Sequence, residues 1–93
     1  MTQETIDAKV EELRRWERVD ADDAEAISDL LDALTAAHGY LVGAGIPEAD
    51  TPLWNMLLRK VAVYFYEVRG PDRQHGYPDL PPDLDHLVLN LRY

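Results

Sequence analysis

Residues 51–69, TPLWNMLLRKVAVYFYEVR, constrain the fold more than any other stretch of this chain. Thr51 is a good helix N-cap, because its hydroxyl can accept from an orphan backbone N–H. Pro52 follows at the first helical position, where a missing N–H costs nothing. No breaker interrupts the run from there to Val68, and Gly70-Pro71 stops it. The resulting rod is roughly 25 Å long. Its apolar side chains fall on three stripes: Leu53, Leu57, Val61, Tyr64 and Val68; Trp54, Leu58, Val61 and Phe65; and Met56, Val63 and Tyr66. Only Asn55, Arg59, Lys60 and Glu67 interrupt them. A helix apolar nearly all round has to be enclosed. Two covers are open: the chain's own remaining helices, or a neighbouring subunit where so short a chain runs out of cover.

At 93 residues the chain makes one domain, residues 1–93. A domain of this size buries only about 60–65% of its unfolded surface, so its core is modest. There are no cysteines. Disulfides and thiolate metal sites are therefore excluded, and a reducing compartment suits the chain. The polar, acidic start does not have the pattern of a signal peptide. No apolar run reaches the length of a membrane span, and no membrane partner is expected.

Acidic residues outnumber basic ones 18 to 9, and the excess sits in the first half. Residues 1–50 carry 13 acidic and 4 basic side chains, whereas residues 51–93 carry 5 of each. Such a surface repels phosphate, which argues against nucleic-acid binding through a basic patch. A solvated acidic face, adaptation to high salt, or a surface that must not stick to nearby DNA all remain compatible. Two lysines against eleven aspartates suit a salt-loving host.

Thr2 to Val19 reads as a first helix, with Thr2 or Thr5 as its cap and Ile6, Val10 and Leu13 as its apolar stripe. Arg14, Arg15 and Arg18 suit the negative end of its dipole; contact with an acidic partner surface is the alternative. The stretch Asp20 to Asp23 breaks the pattern, and Asp20 or Asp22 is a natural cap for a second helix, from about Asp23 to Val42. Ile27, Leu30, Leu34, Ala37 and Leu41 recur on that helix at alternating spacings of three and four, with Glu25, Asp29 and Asp32 opposite. Its six carboxylates between Asp20 and Asp32 lack the alternating ligands, glycine and terminal glutamate of a calcium loop, so they read as a solvated face. Gly43-Ala44-Gly45 ends the helix, and a short turn sets the two long helices up as an antiparallel hairpin. Residues 70–79, GPDRQHGYPD, make a long connector, expected to be mobile or ordered by a partner. Pro81-Pro82-Asp83 opens a last short helix with Leu84, Leu87, Val88 and Leu91 on one edge. A helix that short must dock, on its own bundle or on a neighbour. The expected fold class is all-α: a small bundle of about four helices around a central hairpin.

Catalytic chemistry is hard to place. His38 lies near the apolar stripe of the second helix, where a partly buried structural histidine fits best. His75 has Asp72 and Asp79 nearby, a weak metal candidate without closely spaced ligand pairs. His86 reads as surface. Ser28 is the only serine, and it lies mid-helix; there is no Gly-rich phosphate loop or nucleophile elbow. No enzyme activity, cofactor or metal is expected.

The order of parts resembles a known family. An acidic DADDAEAI opens the long second helix, YFYEVRG (residues 64–70) closes the apolar one, and LPPDLDHLVLNLRY (residues 80–93) follows an irregular loop. This resembles the head–tail connector proteins of tailed bacteriophages, also called adaptor or head-completion proteins. Their corresponding pieces look like a tyrosine-Glu-Asn-Arg helix end and a Leu-Pro-x-x-Val-x-x-Leu-Leu tail helix. Val68 stands where the family often has Asn, and Leu84 replaces the usual Val. The likeness spans about residues 6–93.

The resemblance implies a non-catalytic virion protein, made in the host cytoplasm and located at the head–tail junction. It implies a homo-oligomeric ring, typically dodecameric, beneath the portal protein. Such a ring extends the channel for double-stranded DNA, helps retain packaged DNA and docks the next neck or tail protein. On that reading the tail helix, Leu84, Leu87, Val88, Leu91 and Tyr93, engages the portal. Trp54, Leu58, Phe65 and Tyr66 form the subunit interface, and Asp22, Asp23, Asp29 and Asp32 face the channel. The alternative from the charge pattern is a small acidic helical protein that inhibits a basic, DNA-binding partner by mimicking DNA.

Overall fold

Three helices follow one another along the chain: α1 (Gln3–Trp16), α2 (Ala24–Gly43) and α3 (Pro52–Val68). The structure is a computed structural model and describes residues 2–46, 48–49, 51–68, 84 and 86–88. The fold is an all-α bundle, with no strand among the described residues. Leu84, His86, Leu87 and Val88 in the tail are also helical. The connector at residues 70–79 lies outside the described residues.

Each helix starts on a side-chain cap. The Thr2 hydroxyl accepts from the Thr5 N–H at 3.2 Å, and the Thr51 hydroxyl accepts from the Trp54 N–H at 3.2 Å. Asp23, rather than Asp20 or Asp22, caps α2, accepting from the Ala26 N–H at 3.0 Å. The reason is the turn before it. The Asp23 N–H bonds back to the Asp20 carbonyl at 3.1 Å, so the two earlier aspartates belong to the turn that delivers the third to the helix end.

Helices α1 and α2 stop in the same way, one without glycine. At the end of α2 the Ile46 N–H reaches the Leu41 carbonyl and the Gly45 N–H reaches the Val42 carbonyl, both at 3.1 Å. Gly45 takes the left-handed conformation this pairing requires, with φ 89°, and Ile46 tucks into the core. At the end of α1 the Val19 N–H reaches Arg14 at 2.9 Å and the Arg18 N–H reaches Arg15 at 3.2 Å. There the left-handed residue is Arg18, at φ 56°, a conformation that costs an L-residue roughly 1–2 kcal/mol. The helix therefore ends at Trp16, short of the Val19 that the sequence suggests.

The largest helix–helix contact joins α2 and α3, and α1 lies against α2. His38 of α2 meets Trp54 at the start of α3, and Leu34 and Leu58 share a wall with Leu13. These pairs run in opposite senses along the two helices, as an antiparallel hairpin requires. Tyr40 reaches Phe65, further along α3, with ring centroids 6.2 Å apart. Leu30, Leu34, Ala37 and Leu41 of α2 are buried with Leu57, Leu58, Val61, Ala62 and Phe65 of α3. Helix α1 adds one fully buried side chain, Leu13, and Val88 from the tail closes the same cluster.

The chain thus covers its own apolar helix on one broad face. Met56, Val63, Tyr64 and Tyr66 are left half-buried, and Leu53 and Val68 are exposed. Two kinds of substitution test this account by urea or thermal unfolding. Leu57→Ala is expected to cost about 2–5 kcal/mol, since the side chain is wholly enclosed. Among the glycines, a Cβ at Gly39 meets nothing within 4 Å, so Gly39→Ala is expected to stabilise α2 by about 0.5–1 kcal/mol. Gly45→Ala is expected to destabilise by roughly 1–2 kcal/mol, because it forces a Cβ into the left-handed region.

Candidate interaction surfaces

The residues expected to form a subunit interface are mostly committed inside the chain. Trp54, Leu58 and Phe65 are buried in the core, at 5%, 1% and 3% exposure. Tyr66 is half-buried against the same cluster. The physical reason is that the chain supplies the cover itself: Leu13 of α1, the inner row of α2 and Val88 of the tail share one cluster with them. The exposed interface expected at Trp54, Leu58 and Phe65 is therefore corrected, whereas Tyr66 stays half-buried.

The tail residues divide similarly. Val88 is 2% exposed and part of the core, and Leu87 packs beside it. Leu84 is half-buried and His86 is exposed. This segment docks on its own bundle, so Val88 is not an exposed anchor for a portal. Leu91 and Tyr93 lie outside the described residues, as do His75, Asp72 and Asp79.

Of the four aspartates expected to face a channel, Asp22 and Asp32 are exposed. Asp23 is exposed as well, with its carboxylate engaged in capping α2. Asp29 departs from the expected solvated face: it is only 5% exposed and is engaged within the fold.

The arginine group at the end of α1 serves the chain itself. Arg14 grips both Glu11 oxygens, at 2.8 and 2.6 Å, and donates to the Val19 carbonyl at 2.8 Å. Arg15 adds a 3.1 Å bond to Glu11. Arg14 thereby ties the last turn of α1 to the strained residue pair after it. Chiefly through the Arg14 bond, Glu11 is held at about 2, well below its ordinary 4.5.

A polar seam between α1 and α3 was not legible from the sequence. Lys9 donates to the Asn55 side-chain oxygen at 2.9 Å, and Arg59 lies 3.4 Å from Glu12. The Arg59 guanidinium also stacks over Trp16, 4.8 Å from the ring centre. Two of the four side chains that interrupt the apolar stripes of α3, Asn55 and Arg59, are thus where α1 reaches it. A longer-range match between Lys or Glu on α1 and Asn or Arg on α3 was the only available signal, and it is too common to weigh alone.

His38 is half-buried, edge-on to Trp54 at 6.3 Å, as a structural histidine would be. Its Nε2 stands 3.3 Å from the Glu48 carboxylate. That neighbour is the main reason the Glu48 carboxyl lies below its usual range. Among the described residues no helix is long and apolar enough to cross a membrane.

Comparison with family models, with curated protein sequences and with solved structures finds no match.

The Glu11 cluster carries a pH signature. Its folded pKa is lowered, so its contribution is complete above about 4.5 and fades as pH falls toward 2. Glu11→Gln is expected to lower stability at neutral pH and to flatten the acid limb over that window, read by circular dichroism during urea unfolding at stepped pH. An unchanged acid limb would mean that the Arg14 grip does not persist in solution.

Proposed function

We propose that this chain is a structural, non-catalytic subunit of a phage head–tail connector ring. The observation that carries the reading is the ordered set of three segments: DADDAEAI, YFYEVRG and LPPDLDHLVLNLRY. The all-α bundle is compatible with it. A ring needs heterologous contacts repeated around an axis. Since Trp54, Leu58 and Phe65 are enclosed, those contacts would use apolar side chains that stay exposed, such as Leu53, Val42 and Val68. Portal engagement would fall to the tail beyond Val88. The exposed carboxylates Asp22 and Asp32 would suit a channel wall, because repulsion lets a phosphate backbone slide past.

The acidic first half also favours a second reading, a monomeric inhibitor that presents carboxylates to a basic DNA-binding protein. Absolute mass by light scattering behind a sizing column, over a range of concentrations and with portal-bearing capsids added, separates the two. The connector reading expects a closed oligomer, alone or on the capsid vertex. A chain that stays monomeric, ignores capsids and binds basic proteins with steep salt dependence would replace it with the inhibitor reading.

A further inference from the structure

We propose that the groove between α1 and α2 seats a basic amphipathic helix from a partner protein. The groove has a volume of about 430 Å³, and Val10, Ala24, Ile27 and Leu31 supply its apolar surface. Leu31 is 39% exposed although it belongs to the apolar side of α2, and Ile27 and Val10 beside it are only half-buried. Small side chains at Ala21, Ala24 and Ser28 let another backbone approach closely. From Ala24 to Leu31 the trough follows α2 for roughly 10 Å, about two turns, which suits a short helical segment better than a compact ligand.

Charge selects the kind of helix. Asp7 and Glu11 stand on the α1 side of the trough. Asp22, Glu25 and Asp32 are exposed on α2 or just before it, and among the described residues no ion pair reaches them. Arg14 and Glu11 in the lining hold each other, which leaves Asp7 as the lining's uncompensated charge. An apolar floor with Asp7 at its edge and the exposed Asp22, Glu25 and Asp32 next in sequence to its lining residues accepts a helix with an apolar stripe flanked by lysine or arginine, and it repels anionic lipid and nucleic acid. The Arg14 clamp fixes the turn that carries Ala21, so the trough is formed before anything binds and little ordering is left to oppose association. This inference stands independently of the ring reading.

The test uses the full chain and a synthetic helical peptide with leucines along one face and lysines on both flanks. A second peptide carries glutamates in place of the lysines. Binding is followed by calorimetry and by amide chemical shifts. The lysine peptide is expected to bind with salt-sensitive affinity and to shift residues around Val10, Ala24, Ile27 and Leu31. The glutamate peptide is expected not to bind. Leu31→Ser removes an exposed anchor without touching the core and is expected to weaken binding about tenfold. Ala49→Ser, an exposed change outside the groove, is expected to leave affinity within about twofold. Shifts elsewhere, equal binding of both peptides, no binding, or indifference to Leu31→Ser would each overturn the proposal. So would self-association that Leu31→Ser abolishes, which would make a second copy the occupant.

Discussion

Leu30, Leu34, Ala37 and Leu41 on one helix press against Leu57, Leu58, Val61 and Phe65 on the next, and everything else is arranged around that contact. Fully burying one such leucine or phenylalanine contributes about 1.5–3 kcal/mol, against about 1–2 kcal/mol lost in fixing a residue's backbone. A chain of this size has few such side chains to spare. It gains by gathering side chains from all three helices, from Ile46 and from Val88 of the tail into one cluster. That cluster encloses Trp54, Leu58 and Phe65 and leaves Leu53 and Val68 of the same helix exposed.

The first helix is attached differently. It gives the core one fully buried side chain, packs Ile6 and Val10 against it half-buried, and adds polar contacts: Lys9 to Asn55, Glu12 to Arg59, and Arg59 over Trp16. Exposed ion pairs contribute little each. The bundle is therefore a firm hairpin with a more lightly fastened third helix. The groove between that helix and α2 keeps apolar surface open beside exposed carboxylates.

Much of this fold could be read from residue order. Thr51-Pro52 marks the start of α3, Gly45 marks the end of α2, and the alternating spacing of Ile27 to Leu41 marks its inner face. The parts that could not be read share a cause: each depends on where a second element lies. Arg18 carries no sign that it will adopt a glycine-like conformation, because the Arg14 side chain and the Val19 amide that support it act through the folded turn. Asp29 looks like one more carboxylate in an acidic run, and nothing in that run marks it as the one the fold encloses. The stripes of α3 show that it needs cover but not from what. The acidic rim could be anticipated from composition; the trough it borders needed the placement of α1.

The two tryptophans occupy opposite environments, Trp54 at 5% exposure inside the hairpin corner and Trp16 at 59% on the surface. The chain thereby carries two built-in optical reporters with separable emission. Trp54 emits from an apolar site sheltered from soluble quenchers, with the imidazole of His38 edge-on to its ring. Trp16 emits from water and answers to the guanidinium of Arg59 above it. A red shift of the sheltered component signals that the hairpin has opened, whereas a change confined to the exposed one signals that the outer helix alone has let go. Loss of the lightly fastened helix and loss of the core can thus be told apart without any added label.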